Sequence, residues 1–165
     1  MKFLKLLFPI LSVLIIAACS EDDNKTADVS GLYNLTAVNA PRPVDYNRDG
    51  TASLNLMQES NCYLNSFIDL RSDGTFTYKY NYVFFLSDTG CYTEDITGIW
   101  QYKGNTITLT NPTAADESSA TMQYTLQDNI LSIIQESSYP GYDSDGFPIF
   151  IEGQVETVYG KVDTP

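Results

Sequence analysis

The sequence predicts an all-β domain, an antiparallel up-and-down β-barrel of about eight strands. Composition is the first reason: 165 residues carry 12 Tyr, 8 Phe and 1 Trp, with no long runs of Ala, Leu, Glu and Lys, a balance that favours strands over helices. Periodicity is the second. Nine short segments alternate with period two or are rich in aromatic and β-branched residues: 31–38, 53–58, 63–71, 75–85, 95–103, 105–111, 120–127, 130–137 and 149–162. Turn chemistry between them is the third, and no segment reads as a helix.

Before the first strand lies a segment to be set apart from the fold. Lys2 and Lys5 precede an apolar run over residues 6–16, followed by Ala17-Ala18-Cys19. A basic start, a short apolar stretch and small residues before the cut are the features of a secretory signal, and the run is short for a bilayer span. Residues 1–18 are therefore expected to be a lipoprotein signal peptide. The two small residues before Cys19 resemble a bacterial lipobox, so Cys19 is expected to carry the lipid. Several acyl chains, palmitate among them, would anchor the chain firmly, since each buried methylene contributes about 0.8 kcal/mol.

Residues 19–29 read as the lipidated Cys and a flexible acidic tether, and residues 30–165 as one domain. The run Ser20-Glu21-Asp22-Asp23-Asn24 has two readings. It resembles the export signal that carries Bacteroidetes lipoproteins to the outer face of the outer membrane, and it is also what a solvated tether looks like. An outer-membrane lipoprotein is expected on either reading, exposed at the cell surface on the first.

Charge narrows the partners. Removing residues 1–18 deletes two Lys and no acid, leaving 7 basic against 21 acidic residues, a net charge of −14. Nucleic acid and a polybasic grip on anionic lipid are both excluded, because no basic cluster exists to replace counterions. The chain contains no His, which removes the commonest general base and transition-metal ligand. About 140 residues suffice to bury a core, so a monomeric domain is expected.

Along the domain, Ser72-Asp73-Gly74-Thr75 joins segment 63–71 to segment 75–85, and Asp-Gly suits a tight turn that demands positive φ. Gly104-Asn105 and Asp128-Asn129 separate later segments in the same way. Consecutive hairpins make antiparallel neighbours, since parallel pairs need long crossovers. Such a meander hides its two edges by closing on itself, which leads to the barrel.

The order of several motifs resembles the lipocalin-like lipoproteins of Bacteroidetes. These are Gly31-Leu32-Tyr33-Asn34-Leu35, Asp45-Tyr46-Asn47-Arg48-Asp49-Gly50, Asn61-Cys62-Tyr63, Asp73-Gly74-Thr75-Phe76, Cys91, Gly98-Ile99-Trp100 and Asn105-Thr106-Ile107-Thr108-Leu109. The resemblance spans about residues 30–137 and implies a lipocalin-like barrel that binds a small ligand. Lipocalins proper carry Gly-x-Trp in the first strand and a helix before the last. Here the first strand offers Tyr33, Trp comes at position 100, and no helix is evident.

With Cys19 assigned to lipid, Cys62 and Cys91 remain in an oxidising compartment and are expected to form a disulfide. Closing that loop would stabilise the fold by roughly 3 to 4 kcal/mol. A redox pair is the weaker alternative, because no Cys-x-x-Cys spacing is present.

Asp45-Tyr46-Asn47-Arg48-Asp49-Gly50-Thr51 reproduces the first seven positions of a calcium loop. Asp45, Asn47 and Asp49 supply side-chain oxygens, Gly50 the turn and Thr51 a carbonyl. The twelfth position is Leu56 where a bidentate Glu belongs, and Glu59 lies three residues further on. The alternative is an Asp-rich turn that caps itself through side-chain hydrogen bonds. A bound Ca²⁺ would be structural and weak.

A second acidic loop over residues 139–148 combines Asp143 and Asp145 with Tyr139, Tyr142 and Phe147. It reads either as a binding lip at a barrel mouth or as a long connection whose aromatics fold back into a local core. Phe76, Tyr78, Tyr80, Tyr82 and Phe84 place five aromatics on one face of a strand, with Trp100 and Tyr102 on a neighbour. In a barrel that face lines the interior, so Tyr78, Tyr80, Tyr82, Phe84, Trp100 and Tyr102 are the candidate ligand contacts.

Two classes of function follow. One is a carrier holding a small apolar or amphipathic molecule inside the barrel without catalysis. The other is a structural or interaction lipoprotein whose barrel is filled and whose loops contact protein or glycan. An enzyme ranks below both, because no nucleophile with a base and no complete catalytic metal set is present.

Overall fold

The structure, a computed structural model, describes residues 29–87, 90–115 and 120–163. The signal segment, Cys19 and all of the tether but Val29 lie outside the described residues.

Nine strands form one antiparallel sheet: β1 (Gly31–Val44), β2 (Ser53–Asn55), β3 (Phe67–Leu70), β4 (Thr75–Val83), β5 (Cys91–Lys103), β6 (Thr106–Thr110), β7 (Thr121–Gln127), β8 (Ile130–Tyr142) and β9 (Pro148–Lys161). From β3 onward each strand pairs with the next, and β9 returns to pair with β1. Eight strands thus close into a barrel. The short β2 lies outside the ring, paired with β1 at Asn39 and Val44 beyond the stretch that holds β3.

β1 pairs with β3 along one edge and with β9 along the other, and a bulge in the β9 ladder shifts its pleat. Leu35 pairs with Tyr159 and Ala37 with Val158, so Thr36 is the extra residue. Tyr33 and Leu35 point inward before the bulge, Val38 and Ala40 after it. The parity switch keeps a 14-residue strand facing the core as it curls around the barrel.

Alternate connections gather at opposite ends. Residues 71–74, 104–105 and 128–129 turn at one end, called lower here, where β1 starts and β9 finishes. The lower turn at Asp128 and Asn129 has φ of 51° and 63°, the double positive φ of a tight hairpin. This half is filled: Tyr33, Ile68, Leu70, Phe76, Ile107 and Tyr159 are all fully buried. The Ile, Leu and Phe side chains among these each contribute about 1.5–3 kcal/mol by leaving water. Gly98 completes the packing, since a Cβ there would sit 2.1 Å from the Thr110 carbonyl oxygen and 2.8 Å from the Phe76 ring.

Two segments expected as strands are mostly turns. Residues 53–58 and 63–71 shorten to β2 and β3, with 3-10 turns at Leu56–Gln58 and Asn61–Tyr63. Asn55 Oδ1 accepts the Met57 amide and Ser60 Oγ accepts the Cys62 amide, so local side-chain caps outcompete the ladder. The long loop expected over 139–148 shrinks to residues 143–147, with Tyr139, Pro140, Gly141 and Tyr142 inside β8. Asp143 Oδ1 accepts the amides of Asp145 and Phe147 and closes that turn by itself.

Candidate functional site

The upper half is not filled. A cavity of about 980 Å³ opens there, within the range of small-molecule sites. β4 supplies Tyr78, Tyr80 and Tyr82, with Phe84 just beyond its end; β5 supplies Glu94 and Ile96. Met122 and Tyr124 of β7, Ile133 and Tyr139 of β8, and Val155 and Thr157 of β9 complete the wall. Leu56 and Tyr63, from the two 3-10 turns, also line it, so the segment between β2 and β3 forms part of the enclosure.

Pairing of β7 with β8 is limited to residues 125–127 against 130–132. Above that point no further β7–β8 pairs occur among the described residues, and both strands present residues of both faces to the cavity, Gln123 and Ile134 included. The cavity therefore has a side opening. Pro140 sits on the stretch of β8 that pairs with β9 but not with β7, an edge-like position of the kind proline occupies in sheets.

The tyrosine stripe forms a ladder up one wall. Ring centroids of Tyr78 and Tyr80 are 6.1 Å apart and those of Tyr80 and Tyr82 5.6 Å, both stacked. Tyr63 approaches Tyr80 at 6.4 Å, and Tyr92, Phe84 and Phe150 carry the aromatic surface to the rim. At the floor, burial raises the hydroxyls of Tyr78 and Tyr159 well above the ordinary value of 10, and neighbouring tyrosines add to the rise. Burial likewise raises Tyr124 and Tyr80; the Tyr80 rise is partly offset by the Thr157 hydroxyl. These phenols are neutral hydrogen-bonding groups near neutral pH.

Tyr78, Tyr80, Tyr82 and Phe84 line the cavity; Trp100 and Tyr102 do not. Strand direction is the reason for the difference. β4 runs upward and β5 downward, with Tyr78 opposite Ile96, Tyr80 opposite Glu94 and Tyr82 opposite Tyr92. Trp100 lies four residues below Ile96, about 13 Å down the strand. There it closes the lower end, donating its Nε1 hydrogen to the Arg71 carbonyl at 2.9 Å and its backbone N–H to Gly74 O at 2.8 Å. Tyr102 is also at that end, where it adds to the rise of Tyr33, whose hydroxyl burial pushes up to about 12. Glu94 also lines the wall; the hairpin register that sets it opposite Tyr80 is the sequence signal for it.

Cys62 and Cys91 form a disulfide with a Cα–Cα distance of 5.4 Å, tying the second 3-10 turn to the start of β5. The bridge holds the segment that carries Leu56 and Tyr63 against the cavity rim.

In the 45–51 loop, Asp45 Oδ2 accepts the Gly50 amide, Asn47 Oδ1 the Asp49 amide and Asp49 Oδ1 the Thr51 amide. Glu59 is buried, and its Oε2 accepts the Tyr46 and Asn47 amides. Asp45 Oδ1 is buried without a hydrogen-bond partner. No cluster of three His, Cys, Asp or Glu side chains suited to a metal occurs among the described residues, so a cation here needs Asn47 and the Thr51 carbonyl as well. The loop is clipped to the upper end of β8: Tyr46 stacks on Tyr142 at 5.6 Å, and the Arg48 guanidinium lies 3.9 Å over the Tyr142 ring.

A closed antiparallel barrel with a filled base and a hollow upper half defines a small-molecule-binding class of fold. Residues 29–140 match the lipocalin-like domain family, and the chain belongs to it. Members of that family are generally binding proteins rather than enzymes. The match ends before β9, the strand that closes the ring. No curated protein and no solved structure matches the chain.

Proposed function

We propose that this protein is a lipid-anchored carrier of the outer membrane that holds one small apolar or amphipathic molecule in the upper half of its barrel, without catalysis. The observation that carries the reading is the cavity of about 980 Å³ walled by Tyr78, Tyr80, Tyr82 and their neighbours. The interaction reading required a filled barrel, and only the lower half is filled. The anchor rests on Lys2, Lys5, the apolar run over 6–16 and Ala17-Ala18-Cys19. β1 begins at the closed end, so the chain from Cys19 joins the domain opposite the cavity. An acidic tether and a net charge of −14 on the mature chain favour action in the aqueous layer off the membrane. The test is to purify residues 20–165 gently and examine them by native mass spectrometry. A co-purifying small molecule supports the carrier; an empty barrel that also ignores apolar fluorescent probes defeats it.

A second, structural reading concerns calcium in the 45–51 loop. It is favoured by the buried, unpartnered Asp45 Oδ1, with Asn47, Asp49 and Thr51 as further ligands. Millimolar calcium is expected to raise the melting temperature, and Asp45→Ala with Asp49→Ala to abolish the rise. A melting temperature indifferent to calcium ends this reading.

A further inference from the structure

We propose that the cavity selects organic cations: amphiphiles with an apolar body and an ammonium or related positive head, the head meeting Glu94 and the tyrosine ring faces. This rests on the carrier reading and narrows its ligand class.

Charge at the cavity wall carries the argument, on Glu94, a solvent-exposed residue of β5 that borders the opening. Among the described residues, Glu94 is the sole carboxylate lining the cavity, and no Lys or Arg lines it. Glu94 forms no ion pair among the described residues, whose single salt bridge joins Arg71 to Asp69 at the lower end. It sits directly opposite Tyr80 in the β4–β5 register, and its charge reaches the hydroxyls of Tyr78, Tyr80, Tyr82 and Tyr124. An exposed carboxylate on the cavity wall without a counter-ion favours a cationic partner.

The aromatic wall agrees with this. Tyr80 and Tyr82 stack with an interplanar angle of 25° beside Glu94, and tyrosine faces attract positive charge through their negative quadrupole. The other polar groups of the described lining, among them the tyrosine hydroxyls, Gln135, Ser137 and Thr157, are neutral. A carboxylate or phosphate head would find no positive charge among the described lining residues to receive it. Ile96, Met122, Ile133 and Val155 supply the apolar surface for the ligand body.

Octyltrimethylammonium and octanoate have the same tail and opposite heads, and calorimetric titration of the mature chain carrying Cys19→Ser compares them. The ammonium is expected to bind at least about tenfold more tightly, a modest return for one close charge pair. Glu94→Gln should bring the two affinities together. Asp95→Asn removes the same charge from the opposite face of β5 and should leave the preference intact, which separates Glu94 from the general anionic field. Equal binding of both probes, tighter binding of octanoate, or equal effects of the two substitutions overturns the charge proposal and leaves the carrier reading standing. If neither probe binds, the carrier reading falls with it.

Discussion

Raising the pH should unfold this protein abruptly, because its interior is built on tyrosine. Tyr63, Tyr78, Tyr80, Tyr124 and Tyr159 all have hydroxyls raised chiefly by burial. In the unfolded chain the same groups titrate near 10. A folded pKa above the unfolded one means that the native state holds protons the unfolded state gives up. Stability is therefore fully present below about pH 10 and lost as pH rises beyond it. At pH 11 an unfolded tyrosine gains about 1.4 kcal/mol by ionising, so five withheld tyrosines remove about 7 kcal/mol. That is comparable with the whole stability of a typical domain, about 5–15 kcal/mol. The assay is a paired titration of tyrosinate absorbance and far-ultraviolet circular dichroism. The expected result is that the buried phenols ionise only as the β signal collapses, near pH 11. Reversible ionisation of all tyrosines near pH 10 in a protein that keeps its barrel would refute the reasoning.

Further predictions address the bridge and the lower end. Replacing Cys62 and Cys91 by Ala should cost roughly 3 to 4 kcal/mol and lower the melting temperature by roughly 10–15 °C, read by calorimetry. An unchanged melting temperature would show that the bridge does not constrain the unfolded chain. Trp100→Phe removes the Nε1 donor to Arg71 O and should cost about 1 kcal/mol in a denaturant titration while leaving ligand affinity unchanged. A loss of affinity at constant stability would place Trp100 in the site after all.

Much of the architecture was legible because the relevant signals are local. Alternation in residues 75–83 and 121–127, with the turns at Gly74, Gly104 and Asp128, suffices to order the meander. Closure followed from the edges that a meander must hide. The losses were of two kinds. Asn55 and Ser60 capped short turns where alternation suggested strand, a contest settled by single hydrogen bonds that a periodic pattern does not register. At the site, Tyr78, Tyr80, Tyr82 and Phe84 were legible from parity, since alternate residues of an inward face stay inward. Parity does not give height along the barrel. Trp100 and Tyr102 share the inward face of β5, yet antiparallel direction sets them at the opposite end from Tyr82. Counting outward from the β4–β5 connection would have paired Tyr80 with Glu94 and exposed the charged wall. The volume of the cavity depends on Leu56 and Tyr63 in the capped segment, which no strand pattern describes.

The central claim is that the upper half of the barrel is the ligand site, and amide and indole shifts in a nuclear magnetic resonance titration test it most directly. With octyltrimethylammonium added to the isotopically labelled mature chain carrying Cys19→Ser, saturable shifts are expected at Tyr78, Tyr80, Tyr82, Glu94, Tyr124 and Thr157. The indole of Trp100 should stay silent. Shifts gathered on Trp100, Tyr102 and the lower turns, or no saturable shift in the upper half, would contradict the account.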